Sequence, residues 1–358
     1  MAGSGTLGVV STSAHASGVP PGRAVEALRR TAFLLERQNA SSHRVQAFRR
    51  AAAMIAALPA GELEQRVAAG TLTDLAGVGS STAGVVTAAV AGGTADYLHE
   101  LEAVAAPDPG AGAALRTALR GDLHTHSDWS DGGSPIAEMA QTAAHLGHDY
   151  AALTDHSPRL TVARGLSSQR LREQLEVVDR VNHDLAPFRI LTGIEVDILL
   201  DGGLDQEPDL LSRLDVVVAS VHSKLRMPAD EMTRRMVTAI ASRRMDVLGH
   251  CTGRLVTGRG RPPSQFDAEL VFEACRQFDV AVEINCRPER LDPPRDLLRL
   301  AVRTGCRFAV DTDAHAPGQL DWQAYGCARA AECGVPTEQV VNTWDVDRLL
   351  TWTSARRG

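Results

Sequence analysis

The sequence predicts an α/β protein, in which a seven-stranded barrel of alternating strands and helices follows a small all-α domain. Two observations predict this fold class. Apolar residues repeat every three or four positions over roughly the first hundred residues, and short apolar runs then alternate with amphipathic helices. A segment rich in Ala, Pro, Asp and Gly separates the two patterns. The 358 residues suffice for one large domain and one small domain.

The chain accordingly divides into four parts. Residues 1–20 lack both the basic start and the long apolar run of a signal peptide, so we expect a disordered tail. Residues 21–104 form the helical domain, with a break at Pro59-Ala60-Gly61, and residues 105–118 form a linker. Residues 119–358 form the barrel domain.

Seven apolar runs in the barrel domain have the length of strands, and helical patterns separate them. Strand–helix units in series imply a parallel sheet, and seven of them predict a closed or nearly closed barrel. The runs are Gly121–His126, Tyr150–His156, Arg189–Val196, Asp215–His222, Asp246–His250, Val280–Cys286 and Phe308–His315.

Composition excludes several classes of protein. A formal net charge of −7 argues against a wholly basic nucleic-acid coat. No apolar stretch approaches the length of a membrane span. The six cysteines contain no C-x-x-C pair, which is typical of reduced thiols in a cytoplasmic protein.

Histidines and carboxylates recur where the predicted strands end. Because the carboxyl ends of parallel strands meet on one rim of a barrel, residues nearly two hundred apart in sequence become neighbours there. The candidate metal ligands are His124, His126, Asp131, His156, Glu195, His222, His250, Asp313 and His315.

These nine residues predict a site for more than one metal ion. Alternate strand residues point to the same side, so His124 and His126 can share a cation, and Asp313 and His315 can serve adjacent cations. Imidazole and carboxylate ligands suit Zn²⁺, Mn²⁺ or Fe²⁺. Nine candidates exceed what one tetrahedral ion can use, so we expect two or three divalent ions.

The strand-end motifs resemble those of the PHP (polymerase and histidinol phosphatase) superfamily. The motifs are D-L-H-T-H-S-D-W-S-D-G, T-D-H-S, G-I-E-V-D, S-V-H-S, G-H-C-T-G-R-L, E-I-N-C and D-T-D-A-H-A. The strongest likeness is to the PHP domain of bacterial X-family DNA polymerases. The resemblance implies a distorted seven-stranded barrel with three metal ions, which hydrolyses phosphate esters.

The resemblance also implies how the ligands divide among the ions. His124, His126, Glu195 and Asp313 would hold the first ion. Glu195 would bridge to a second ion bound by His222 and His250, and the third would be held by Asp131, His156 and His315. Cys251 departs from the proline usual in the family, so the loop after His250 can differ in rigidity.

Hydrolysis at such a site needs no serine or cysteine nucleophile, because water between two cations becomes the nucleophile. The candidate catalytic residues are Glu195, Asp313 and Arg254. Arg254 is expected to clamp a phosphate bidentately, and Arg287 and Arg290 are further candidates. Each arginine can alternatively be a solvated surface charge. We expect Asp155 to orient a ligand histidine rather than to bind metal.

The helical domain carries L-A-G-V-G-S-S-T-A, which resembles a helix–hairpin–helix. Gly77 and Gly79 would let backbone N–H groups approach a DNA phosphate. The preceding helices resemble the N-terminal domain of X-family polymerases, and Arg44, Arg49 and Arg50 would add phosphate contacts. A helical packing domain with a tight turn is the alternative.

The leading hypothesis is a metal-dependent phosphoesterase acting on DNA ends, of 3′–5′ exonuclease or 3′-end phosphatase type. It is not a polymerase, because no palm domain fits between the helical domain and the barrel. The only lysine, Lys224, lies outside the helical domain, so that domain lacks the amine for Schiff-base lyase chemistry. A small-molecule phosphatase of histidinol-phosphatase type, and a DNA-binding adaptor with a vestigial metal site, remain open. The sequence leaves the oligomeric state open.

Overall fold

The computed structural model describes residues 22–357, so the tail predicted for residues 1–20 lies outside the described residues. The described chain divides into two compact units. The helical unit comprises residues 22–32 and 41–103, and the barrel unit comprises residues 33–40 and 104–357. The predicted linker contains a helix, Ala113–Ala118, so this segment is ordered rather than extended.

The helical part of the chain contains five α-helices, whose apolar residues repeat at the spacing noted in the sequence. In the helical unit, Leu28, Phe48, Ile55 and Val86 are buried among them. The five helices are α1 Gly22–Arg37, α2 Ser42–Ala56, α3 Glu62–Ala69, α4 Ser80–Val90 and α5 Asp96–Glu102.

The barrel unit contains a single sheet of seven parallel strands in the order β1-β2-β3-β4-β5-β6-β7. The strands are β1 Gly121–Thr125, β2 Tyr150–Leu153, β3 Arg189–Asp197, β4 Val216–Ser220, β5 Val247–Leu248, β6 Ala281–Asn285 and β7 Arg307–Asp311. The helices are α6 Ala113–Ala118, α7 Ile136–His145, α8 Ser168–Leu185, α9 Pro208–Leu211, α10 Ala229–Ala241, α11 Ala268–Gln277, α12 Arg295–Thr304, α13 Gln323–Cys333 and α14 Val346–Arg357. The predicted α/β barrel is confirmed.

The barrel is nearly closed, and side-chain amides join its first and last strands. Asn342 Nδ2 donates to the carbonyl oxygens of Gly121 in β1 and Val310 in β7, and its Oδ1 accepts from the backbone N–H of Val310. Gln323 Nε2 donates to the same two carbonyls. These amides satisfy backbone groups that a continuous strand ladder would otherwise pair.

The C-terminal helix α14 packs on the interior of the barrel. Trp344, Leu349 and Trp352 form one buried cluster with side chains contributed by all seven strands, among them Leu123 and Val216. Inward-facing residues therefore fill the amino-terminal half of the barrel with apolar side chains. The polar side chains lie at the carboxyl ends of the strands.

Two observations bear on the environment of the chain. No helix in the part of the chain that the structure describes is long and apolar enough to cross a membrane. All six cysteines are buried and free.

Candidate metal centre

Glu195, near the end of β3, lies at the middle of the polar cluster and is fully buried. Its Oε2 lies 2.8 Å from His156 Nδ1, 3.3 Å from His124 Nε2 and 3.6 Å from His126 Nε2. Its Oε1 lies 3.0 Å from His250 Nε2 and 3.2 Å from His222 Nε2. One carboxylate thus contacts imidazoles from four other strand ends.

The remaining predicted ligands adjoin this group. Asp313 Oδ1 lies 3.4 Å from His126 Nε2 and 3.9 Å from His124 Nε2. Asp131 Oδ1 lies 3.3 Å from His315 Nε2 and 3.6 Å from His156 Nε2. The structure therefore brings all nine predicted ligands into one cluster.

The cluster fits metal ions better than a network of hydrogen bonds. Both carboxylate oxygens of Glu195 are buried without a hydrogen-bond partner, although five imidazole nitrogens lie close by. Buried polar atoms are normally paired, so converging unpaired donor atoms indicate ligands around a shared ion. Unpaired imidazole nitrogens occur on His124, His126, His156, His222 and His250.

Three sets of donor atoms are compact enough to hold an ion, with every atom in a set within 4.8 Å of the others. Imidazole nitrogen with carboxylate oxygen is a donor set that suits Zn²⁺, Mn²⁺ or Fe²⁺. The sets are His124–His126–Glu195, His156–Glu195–His222 and His126–Asp131–His156–His315. They overlap, as expected of neighbouring ions that share ligands.

Electrostatics favour charged carboxylates in the cluster. Burial alone would raise the pKa of Glu195, but the imidazoles of His124, His156 and His222 outweigh it and hold that pKa well below its usual value. Burial would lower the pKa of His222, yet Glu195 and Asp197 raise it to about 9. The site therefore attracts positive charge, and divalent ions supply it in place of protons.

Glu283, on β6, is a candidate functional residue to which the sequence analysis gave no role beyond its place in the E-I-N-C motif. Its Oε1 lies 2.6 Å from His124 Nδ1, and its Oε2 accepts from the backbone N–H of His250 and from Asn285 Nδ2. A carboxylate at Nδ1 leaves Nε2 of His124 free to bind metal. The available signal was two polar residues at alternate positions, Glu283 and Asn285, in an otherwise apolar strand.

Two other carboxylates support the cluster from outside. Asp197 Oδ1 accepts from the backbone N–H of His222 and lies 3.7 Å from His222 Nδ1. Asp155 differs from expectation, because no hydrogen bond or ion pair joins it to a ligand histidine within residues 22–357. It accepts instead from Ser127, Ser130 and Gln174, and so orders the loop that leads to Asp131.

The three candidate phosphate-binding arginines have different surroundings. Arg254 Nε and Nη2 donate to the carbonyls of Arg290 and Leu291, so this guanidinium holds the loop after β6. Arg290 Nε lies 3.4 Å from Asp313 Oδ2, and Arg287 Nη1 lies 3.6 Å from Asp313 Oδ1. Sequence spacing could not reveal this, because the carbonyls that hold Arg254 belong to a loop thirty-six residues away.

Most ligands follow the strands rather than ending them. β7 stops at Asp311, and Asp313 has a positive φ of 52°, so the strand alternation inferred for Asp313 and His315 does not apply. In β1 the pairing register shifts between Asp122 and Thr125. Such an irregularity changes which residues face inward, and it lets Leu123 join the interior core while His124 reaches the ligand cluster.

The loop predicted as a hairpin lies in the helical unit, between Leu72–Asp74 and α4. Gly77 has a φ of +85°, whereas Gly79 has ordinary backbone and nothing within 4 Å of an added Cβ. Gly79 N donates to Thr82 Oγ1 at the start of α4. Arg50 lies beside this loop, its Cβ 3.8 Å from the position of a Cβ on Gly77.

The other two arginines predicted to bind DNA lie on the same helix, α2. Arg44 is exposed, and its Nη2 donates to the hydroxyl of Tyr97, whose ring stacks on Phe48. Arg49 is half-buried.

Comparison with known protein families agrees with this architecture. A model described as a helix-hairpin-helix domain matches residues 21–95. A model described as a PHP domain matches residues 122–287.

Relatives in other organisms differ in how much of their length the chain matches. The DNA polymerase/3′-5′ exonuclease PolX of Bacillus subtilis (strain 168) is 40% identical over 224 residues, which cover 63% of this chain but 39% of that protein. A probable phosphatase of Vibrio atlanticus (strain LGP32) is 30% identical, with 62% of this chain and 89% of that protein covered. Another, of Thermoanaerobacter sp. (strain X514), is 27% identical, with 66% and 95% covered.

Among solved structures, the chain is similar to histidinol phosphate phosphatase from Lactococcus lactis subsp. lactis Il1403. The two have a TM-score of 0.45 and 18% sequence identity, and the match covers 60% of this chain and 94% of that chain. The barrel, the donor cluster and the family matches together define a metal-dependent phosphoesterase, a hydrolase. The chain belongs to the PHP superfamily, and in it a PHP domain follows a helix–hairpin–helix domain.

Proposed function

We propose that the chain hydrolyses phosphate esters at DNA ends, as a 3′–5′ exonuclease or a 3′-end phosphatase, with two or three divalent ions (Mn²⁺, Zn²⁺ or Fe²⁺). One observation carries the proposal. Unpaired buried ligand atoms converge on Glu195 in a chain that also contains a helix–hairpin–helix domain. The former supplies hydrolytic chemistry, and the latter supplies a means of binding DNA.

Ions bound at these ligands would supply the positive charge that activates water and stabilises the phosphoryl oxygens. Glu195 stays ionised and holds its histidine neighbours in one orientation. Arg287 and Arg290 lie beside Asp313 and are placed to contact a phosphate bound there. Arg254 acts as a positioning residue, because it holds the loop that carries Arg290.

Four of the seven loops at the carboxyl ends of the strands favour an anionic substrate. In the loops after β2, β4, β5 and β6, counted up to the helix caps, acidic residues are few. Asp155 and Asp292 are buried, and Glu289 pairs with Arg287. Basic residues therefore predominate in these four loops, whereas exposed acidic residues such as Asp128, Asp201 and Glu207 lie in the loops after β1 and β3. A local excess of positive charge attracts phosphates. The basic residues of the four loops are Arg159, Arg164, Lys224, Arg226, Arg254, Arg259, Arg261, Arg287 and Arg290.

Two features of the rim suit nucleobases as well as phosphates. Val162, Leu200 and Val256 are exposed apolar side chains in the loops after β2, β3 and β5. The loop after β5 also forms a short antiparallel bridge between Leu255 and Arg261, with exposed Arg259 between them. Apolar side chains can contact bases while neighbouring arginines contact phosphates.

Polymerase activity is not part of the proposal. Helix α5 ends at Glu102 and β1 begins at Gly121, and the residues between them contain only short helices. This interval is too short for a polymerase palm. The helical unit also lacks a lysine, because the only lysine, Lys224, follows β4.

A small-molecule phosphatase of histidinol-phosphatase type is the second candidate. The observation that favours it is the relatives described as probable phosphatases, which this chain matches over 89% and 95% of their own length. In that case the helical unit would serve another purpose, and the metal cluster would be the same. A DNA-binding adaptor with a vestigial metal site is the third, and the intact ligand cluster argues against it.

The test compares substrates on one preparation of metal-loaded protein. A single-stranded oligonucleotide, a duplex with a 3′-phosphate and histidinol phosphate are assayed at two salt concentrations. We expect the highest kcat/KM with a DNA substrate, and we expect it to fall as salt rises, because phosphate contacts release counterions. A preference for histidinol phosphate, with no DNA binding at low salt, would favour the small-molecule phosphatase.

Gly79→Leu tests the contribution of the hairpin. Its ordinary backbone and the open space around it permit a side chain without strain, yet that side chain would block the approach of DNA phosphate. We expect at least a fivefold loss of DNA affinity and unchanged turnover of a small ester. The control is Gly84→Leu, one turn further along α4, where space is also open. Equal DNA affinity of both variants and the parent would remove the hairpin from the proposal.

A further inference from the structure

A cavity with several arginines in its wall lies at the opposite end of the barrel from the metal ligands. It measures about 470 Å³ and is lined by residues that precede β5 and β6, by the first residue of β7, and by α14 and the residues before it. Cavities of this size hold small ligands. The lining residues that the argument uses are Arg243, Asp279, Arg307, Trp344, Arg348 and Arg356.

The cavity carries more positive charge than its own carboxylates neutralise. Arg307 Nε pairs with Asp279 at 2.5 Å, and Arg356 Nη1 pairs with buried Asp246 at 3.2 Å. Arg243 and Arg348 are exposed, and neither has a carboxylate at ion-pair distance in the described part of the chain. Two uncompensated guanidinium groups therefore line one small cavity.

Aromatic side chains hold these guanidinium groups in place. Arg348 lies 4.2 Å from the ring centroid of Trp344, and Arg243 lies 6.0 Å from that of Phe278. Stacking leaves the N–H groups at the edge of a guanidinium free to donate to a ligand. Such pre-ordering reduces the entropy that binding would otherwise cost.

The two tryptophans of the cavity differ in how their indole N–H groups are paired. Trp344 lines the cavity and is 4% exposed, and its indole Nε1 is buried with no hydrogen-bond partner among the described residues. The neighbouring Trp352 Nε1 does have a partner, Asp279 Oδ2, at 2.9 Å. The indole N–H of Trp344 is thus covered by neighbouring protein atoms, and a ligand in the cavity would contact the guanidinium groups instead.

We propose that this cavity binds a small organic phosphate, separately from the metal centre. Two free guanidinium groups match the charge of a phosphate monoester, which approaches −2 at neutral pH. Arginine binds phosphate oxygens bidentately. The tryptophans at the cavity wall suit a ligand with an aromatic group next to its phosphate.

The probe is phenylphosphonate, whose carbon–phosphorus bond a phosphoesterase does not hydrolyse. Calorimetric titration of the metal-loaded full chain is compared with titration of the Arg243→Gln/Arg348→Gln variant. We expect the parent to contain a site whose affinity falls at least tenfold in the double variant. Glu195→Gln should leave that site intact, which distinguishes it from the metal centre. Turnover of a small ester should be unchanged by the double variant.

Arg244→Gln is the matched control, because Arg244 is an exposed neighbour that does not line the cavity. Arg243→Gln and Arg348→Gln are also tested singly, each at an exposed position, in case the double variant does not fold. Thermal melting shows whether each variant is folded. The proposal is overturned if parent and double variant bind phenylphosphonate alike, or if Arg244→Gln weakens binding as much. Weaker binding of inorganic phosphate than of phenylphosphonate supports the aromatic part, and equal binding overturns that part.

Discussion

At the scale of single residues, Glu195 occupies the position on which the other ligands depend. Its two oxygens lie between 2.8 and 3.6 Å from five imidazole nitrogens. The two oxygens divide these nitrogens between them, with three near Oε2 and two near Oε1. A carboxylate so placed can bridge two ions, which a neutral amide of the same shape does poorly.

We expect Glu195→Gln to lower turnover of phosphate esters at least a hundredfold while the protein remains folded, because ions would no longer share a ligand. The measurements are kcat on a small phosphomonoester, metal content and circular dichroism. Glu207→Gln, at an exposed loop position, is the control. Near-normal kcat in a folded Glu195→Gln protein would contradict a bridging role.

Glu283 contacts the imidazole of His124 and would affect the metal ions through that histidine. We expect Glu283→Gln to weaken metal affinity about 10- to 100-fold, because the carboxylate that orients the imidazole is lost. Activity is measured as the metal concentration is raised. Excess metal should restore turnover in Glu283→Gln and not in Glu195→Gln. Failure of metal to restore any activity would place Glu283 among the ligands instead.

At the scale of elements, the seam between β1 and β7 depends on Asn342, whose amide makes hydrogen bonds to both strands. Asn342→Ala would leave the backbone N–H of Val310 without its acceptor, at about 1–3 kcal/mol, whereas Gln323 would still donate to the carbonyls of Gly121 and Val310. We expect the free energy of unfolding to fall by about 1–3 kcal/mol. Denaturant midpoints of the parent and the variant measure it, with Asn182→Ala, a half-buried amide outside the seam, for comparison. An unchanged midpoint would show that Gln323 alone closes the seam.

The pH dependence of stability should include His148, which is buried between elements of the barrel unit and hydrogen-bonded to Gln323. Burial lowers its pKa to about 4. A histidine in the unfolded chain has a pKa near 6.5. As pH falls from about 6.5 to 4, the unfolded chain therefore binds a proton at His148 that the folded chain does not bind. Stability is therefore lost as pH falls through this window, and the loss is complete below the folded pKa.

We expect His148→Gln to remove about 2 kcal/mol of the difference in unfolding free energy between pH 7 and pH 5. Denaturant unfolding at both pH values, in parent and variant, gives this difference. Comparing the variant with the parent cancels contributions from the metal ligands. Identical pH dependence in the two proteins would mean that His148 is protonated in the folded state.

At the scale of the whole molecule, the overlapping donor sets predict more than one transition-metal ion for each chain. Elemental analysis of protein purified without chelators should find two or three ions, and added metal should fill any shortfall. The Glu195→Gln variant should retain fewer ions than the parent. One ion or none, even after metal is added, would contradict a polynuclear centre.

Much of the molecule follows from local sequence alone. Apolar periodicity predicts the helices and the seven strands, because each segment must present an apolar face or run to a core. The nine ligands could be proposed because polar residues recur where apolar runs end, and because parallel strands carry all such ends to one rim. That reasoning needs only the period of each element and the direction of the chain.

Tertiary structure decides what depends on residues far apart in sequence. Arg254 is held by carbonyls of the loop after β6 while Arg287 and Arg290 lie beside Asp313, and Glu283 orients a histidine 159 positions away. The register shift in β1 and the left-handed Asp313 decide which side chains face the cluster. Local sequence determines which elements form, because propensity and periodicity act over a few residues. The partners of each polar group are chosen only when packing brings distant segments within hydrogen-bond distance.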